Sequence, residues 1–109
     1  MFKLTIFILL VPAFFVSAAV AYAGAWSDIG FYYPDCRCNW LGWQVWLENT
    51  GYRPVKATIL VTEYPTYYRD YLTKLVFPGE FVYVGCTADW GWYYDYYYRY
   101  TITNACYIR

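Results

Sequence analysis

Histidine does not occur in the 109 residues. The commonest general base near neutral pH, and a common metal ligand, are therefore missing. After residue 23 the only serine is Ser27, and a serine nucleophile has no histidine here to activate it. Charge is scarce at 15% and cancels, eight basic residues against eight acidic. A chain without net charge has no electrostatic pull toward nucleic acid or an anionic membrane surface. No phosphate-cradling glycine loop, GxSxG or HExxH motif is present. No stretch carries a sustained 3.6-residue apolar period with caps, and no repeat is visible. A paired-carboxylate hydrolase is conceivable from Asp89 and Asp95, which flank an aromatic segment, but both read as solvated turn and strand residues. The expectation is a protein that is not an enzyme and needs no cofactor.

The chain opens on MFKLTIFILLVPAFFVSAAVAYA. Lys3 supplies a positive start, residues 6–15 an apolar stretch, and Ala21-Tyr22-Ala23 a small-x-small cleavage site, the signature of a signal peptide over 1–23. Ala19-Val20-Ala21 is a second cleavage option. The rival is a retained anchor, since residues 4–23 are long enough to span a bilayer. Pro12, Ser17, the alanine-rich end and the lack of a basic stop-transfer cluster favour cleavage, which leaves no membrane anchor. Either reading puts 24–109 outside the cytoplasm, as one secreted, periplasmic or envelope domain. Eighty-six residues bury a modest share of their surface, so covalent staples are expected.

Cys36, Cys38, Cys86 and Cys106 all lie in that domain. An even count in a small exported chain reads as two disulfides. A Cys36–Cys38 bridge is disfavoured, because i and i+2 on a strand stand too far apart. Cys36 and Cys38 then each reach to Cys86 or to Cys106, in either of two pairings. The C-x-C spacing departs from the paired C-x₂₋₄-C of zinc sites, so no metal is expected.

The domain is rich in Tyr, Val, Thr, Ile and Trp, the strand formers. Trp43, Val45 and Leu47 alternate with Gln44, Trp46 and Glu48. After Asn49-Thr50-Gly51 and Pro54, the residues Val55, Ala57, Ile59 and Val61 share a face, with Lys56, Thr58, Leu60 and Thr62 on the other. These read as consecutive antiparallel strands joined by a short loop. Residues 67–75 have no clear period and read as a loop, a short helix or an edge strand. Pro78-Gly79-Glu80 is a turn, 81–86 a short strand, and 88–91 another turn. The last strand covers about 93–108. Its apolar face falls on the even positions through Tyr94, Tyr96, Tyr98, Tyr100 and Ile102, which predicts Cys106 pointing inward. Asn104 interrupts that face, and a bulge near Asn104-Ala105 would absorb it. Several short strands without helices between them indicate an all-β protein, a small antiparallel sandwich.

The stretch Asn49-Thr50-Gly51-Tyr52-Arg53-Pro54-Val55 resembles the N-T/S-G…P-V connection of bacterial immunoglobulin-like domains. Pro78-Gly79-Glu80 before Val84-Gly85-Cys86 resembles the P-G-E turn of the same group, and Tyr100-Thr101-Ile102 with Ala105 resembles its closing strand. The resemblance implies an immunoglobulin-like β-sandwich in a secreted or periplasmic setting and carries no catalytic residues across. The tyrosine-rich segments and the C-x-C depart from the pattern.

Twenty-four of the 86 residues are Trp, Tyr or Phe. A core this small cannot enclose them all, so some must lie at the surface, where Tyr and Trp offer an apolar face with a polar edge. Trp46, Trp90, Trp92 and Tyr93 are surface candidates, with Tyr67, Tyr68 and Tyr71 as a second group. Three roles compete: a platform for a glycan or protein partner, self-association, and cross-strand packing. The function expected is a non-catalytic binding or structural module. The alternatives are a carbohydrate-binding module using Trp90, Trp92, Tyr93 and Tyr94, and a self-assembling extracellular subunit.

Overall fold

The structure is a computed structural model that describes residues 24–108. The signal-peptide segment lies outside the described residues. A five-residue helix α1 (Gly24–Asp28) leads into β1 (Ile29–Tyr32), which pairs antiparallel with β2 (Gln44–Asn49). On its other edge β2 takes β5 (Phe81–Cys86), completing a sheet of order β1-β2-β5. The second sheet has the order β4-β3-β7-β6, from β3 (Val55–Tyr64), β4 (Arg69–Val76), β6 (Ala88–Asp89) and β7 (Tyr96–Tyr107). It curls into a half-barrel. The domain is thus mostly β, in two antiparallel sheets. Residues 69–76, ambiguous by period, are a strand because they complete the hairpin with β3.

The alternating faces fill the space between the sheets. Val45 and Leu47 of β2 meet Val55, Ala57 and Ile59 of β3, joined by Ile29, Val76, Val84 and Ala105. Burying a Val, Leu or Ile side chain contributes about 1.5–3 kcal/mol. β2 and β3 follow each other in sequence but lie in opposite sheets. The Asn49–Pro54 segment is therefore a crossing between layers and not a hairpin turn. Between the layers, the Tyr100 hydroxyl donates to the Cys86 carbonyl at 2.7 Å. Burial, with the neighbouring Tyr83 and Tyr98 phenols, pushes Tyr100 up to about 12, so it keeps its proton, and that bond, at ordinary pH.

The expectation of two disulfides is corrected to one, Cys38–Cys86, with Cα atoms 5.8 Å apart. Cys36 and Cys106 are exposed free thiols. The reason for Cys106 is a bulge in β7. Thr58 pairs with Asn104 and Ile59 with Ile102, which leaves Thr103 without a partner. One extra residue flips every side chain after it. Tyr98, Tyr100 and Ile102 face inward before the bulge, whereas Ala105 and Tyr107 do so after it. The expected bulge exists, but it turns Cys106 outward.

The two thiols also stand at opposite ends of the sandwich. The Cys36 carbonyl accepts from the Gln44 amide, and Gln44 is opposite Cys86, beside the start of β7. Cys106 is opposite Lys56, near the end of β7. Eight strand residues, about 26 Å at strand rise, separate Tyr98 from Cys106, far beyond the Cα span of a disulfide.

Candidate functional site

The aromatic end of the molecule is assembled by the loop that carries Cys38. Cys38 fastens it to Cys86. Asn39 folds the loop, because its Oδ1 accepts from the Leu41 amide at 2.9 Å and the Gly42 amide at 2.7 Å. Its Nδ2 donates to the Ala88 carbonyl at 2.8 Å, which ties the loop to β6. Gly42 is required by close approach: a Cβ there would strike the Cys86 sulfur and lie 2.9 Å from the Ala88 backbone. Trp43 and Thr87 complete the junction, with the Trp43 amide donating to Thr87 Oγ1 at 2.9 Å and the Thr87 amide to the Trp43 carbonyl at 3.0 Å.

This framework presents Trp40. Arg37 donates to the Trp40 carbonyl at 3.0 Å and lays its guanidinium 4.3 Å from the centre of the Trp43 ring. Trp40 meets Trp90 edge-on, with centroids 5.8 Å apart. The loop after β6 begins with the Asp89 carboxylate accepting from the Trp90 amide at 2.9 Å. It folds back at Gly91, where a Cβ would sit 2.5 Å from the Tyr94 carbonyl oxygen. Trp90, Gly91 and Trp92 line an open cleft of about 410 Å³. Trp92 is 99% exposed and Tyr93 96%.

The four sequence-derived binding candidates thus share one loop but not one surface. Trp90 and Trp92 line the cleft. Tyr93 extends into solvent, and Tyr94 turns onto Tyr96 with centroids 5.3 Å apart. Trp40 had no local signal. Its place beside Trp90 follows from the Cys38–Cys86 pairing, which spacing alone leaves open. Trp46 is half-buried, packed edge-on against Tyr83 at 5.3 Å, with its indole N–H on the Gln44 amide oxygen. The second tyrosine group splits. Tyr68 lines a trough on the inner face of the half-barrel, and Tyr71, opposite Leu60, belongs to the outer face.

The chemistry on offer is that of flat, rigid apolar rings with polar edges, suited to stacking. Among the described residues no three Cys, Asp or Glu side chains converge as a metal site would require. The chain matches no protein-family model, no curated protein and no solved structure.

Proposed function

We propose that this chain is an extracytoplasmic, non-catalytic binding module of immunoglobulin-like sandwich type, with glycans as its ligand class and the Trp40–Trp90–Trp92 end as its contact surface. The single observation that carries the proposal is the exposure of Trp92, Tyr93 and Trp90 at 99%, 96% and 63% on a loop whose base is fastened by a disulfide and by Asn39. Rings that only packed a sheet would be covered by cross-strand neighbours. Trp90 is braced edge-on by Trp40, and a ring ordered in advance for a partner lowers the entropy cost of binding. The apolar edges of sugar rings match such faces. The disulfide is in keeping with an oxidising compartment outside the cytoplasm.

Affinity electrophoresis through gels containing soluble polysaccharides tests this. Retardation of the wild type should fall by about thirtyfold in affinity per ring removed in W90A and W92A, the effect of losing a tryptophan anchor worth ~2 kcal/mol. Trp92 is almost fully exposed, so W92A should keep the wild-type melting temperature. Retardation that is unchanged in the W90A/W92A double variant would remove the glycan reading.

The free thiols favour self-association as a second reading. Cys36 and Cys106 are exposed and stand at opposite ends, so a bridge between these thiols can form only between chains. With oxidised glutathione as the disulfide oxidant, two protein thiols yield one bridge, and their two protons and two electrons pass to the two glutathione thiols released. Non-reducing gels should then show a ladder of multimers that collapses under dithiothreitol and stops at dimers in C36S or C106S. A single monomer band after oxidation would argue against assembly.

A further inference from the structure

The half-barrel is longer than the sheet that covers it. Its inward-facing residues form rows set by strand register. Leu72, Ile59 and Ile102 form one row, Asp70, Val61 and Tyr100 the next. The third brings Tyr68, whose carbonyl accepts from the Glu63 amide at 2.8 Å, beside Glu63 and Tyr98. The first row still reaches the packed core through Ile59, which is fully buried. Beyond it the face opens into a trough of about 270 Å³ lined by Val61, Glu63, Tyr68, Asp70, Leu72, Tyr98 and Tyr100.

The trough combines three features. Its walls are aromatic and aliphatic. Two carboxylates, Glu63 and Asp70, stand on neighbouring strands in adjacent rows, a diagonal of about 7–8 Å between backbones, so one small group can meet both. No basic residue lines it. Lys74, opposite Ala57, shares the inner face but lies two residues beyond Leu72 and outside the trough lining, while Arg69 and Arg99, both opposite Thr62, are placed on the outer face by strand alternation. Thr62 is buried between them although it points away from the core. Inside, Glu63 is close enough to add to the burial that holds the Tyr98 phenol above its ordinary range. The trough lining thus carries negative charge only, and the one inward-facing cation near it on these strands, Lys74, stands on the core side of Leu72.

We propose that this trough binds a primary alkylammonium group, with Glu63 and Asp70 taking the charge and Val61, Leu72, Tyr98 and Tyr100 holding the apolar stem. Phenol faces attract a cation through the ring quadrupole, and carboxylates supply charge-assisted hydrogen bonds. Two sources present this chemistry, a free polyamine and the lysine side chain of a peptide. The site is independent of the tryptophan cleft.

Titration of the ¹⁵N-labelled protein with n-pentylammonium chloride is expected to shift the amide signals of Val61, Glu63, Asp70, Leu72 and Tyr98. n-Pentanol, with the same stem and no charge, is expected to leave them in place. E63Q should weaken binding by about tenfold, and E63Q/D70N should abolish it. A well-dispersed amide spectrum shows that these near-isosteric variants fold. Raising the salt concentration with the wild type gives a second measurement, and affinity should fall as the charges are screened. Spermidine and a lysine-containing tripeptide identify the source, and tighter binding of either supports the proposal. W90A/W92A should bind pentylammonium as the wild type does. Equal shifts from pentanol, binding unaffected by salt, or full affinity in E63Q/D70N would overturn it.

Discussion

Replacing both bridge cysteines, C38A with C86A, is expected to lower the unfolding free energy by about 4 kcal/mol and the melting temperature by roughly 15–30 °C. The bridge joins residues 48 apart. Most of the effect arises in the unfolded chain, which regains the freedom that a closed loop of this length denies it. The folded state loses something as well. The Asn39 amide rests 3.4 Å from the Cys86 sulfur while it bonds the Ala88 carbonyl, so the loop that carries Trp40 is anchored around the bridge. Urea titration of the two proteins measures the difference. Hydrogen exchange should show faster loss of protection at the Leu41 and Gly42 amides than in the core strands. A drop below about 1 kcal/mol, with those amides still protected, would mean that Asn39 alone holds the loop.

Asn49 is the position where a single side chain should matter most. It is fully buried at the end of β2. Its Nδ2 donates to the Arg53 carbonyl at 2.8 Å and to the Val76 carbonyl at 2.9 Å, and its Oδ1 accepts from the Gly51 amide at 2.9 Å. Its backbone carbonyl accepts from Gly79 at 2.9 Å. The residue therefore ties together two of the three places where the chain crosses between the sheets, from β2 to β3 and from β4 to β5. N49A leaves the buried Val76 carbonyl without this partner, together with the part-buried Arg53 carbonyl and Gly51 amide. At about 1–3 kcal/mol for an unmet buried group, with the two part-buried groups able to turn to water, the expected loss is about 2–4 kcal/mol. N49D separates shape from hydrogen bonding. An ionised carboxylate has no proton to give and would face two carbonyl oxygens, so the folded protein favours the protonated acid and raises that pKa above its unfolded value near 4. The folded state then holds a proton that the unfolded chain releases. N49D should accordingly be most stable below pH 4 and lose stability as pH rises through the raised pKa. Urea titrations at pH 4 and pH 7 read the sign. A loss under about 1 kcal/mol in N49A, or an N49D more stable at pH 7, would show that the side chain is not what joins the crossings.

Both positions illustrate how far local patterns reach. Alternation placed Val45, Leu47, Val55, Ala57 and Ile59 in the core, where they are, and the span 81–86 agrees with β5. The Asn49-Thr50-Gly51 signal marked a turn, but not that its asparagine would reach Val76, because the two come together only when the layers stack. Trp90 and Trp92 were visible as excess aromatics, while Trp40 needed the cystine to bring it near. Glu63 follows Val61 by two residues and so continues the inward face of that run, but the row that it completes with Tyr68 and Tyr98 depends on tertiary pairing.

Strand faces, the aromatic surplus and the absence of histidine chemistry are properties of composition and of the period-two pleat. They involve neighbours one or two residues apart, and the chain alone decides them. The cysteine pairing, the layer to which each strand belongs and the outward turn of Cys106 were decided by tertiary structure. One unpaired residue, Thr103, shifts the register against β3, and a shift of one reverses the face of all that follows. Asn104 marked where a bulge could lie, but the local pattern does not record which side chains it turns outward, because that depends on the register against β3.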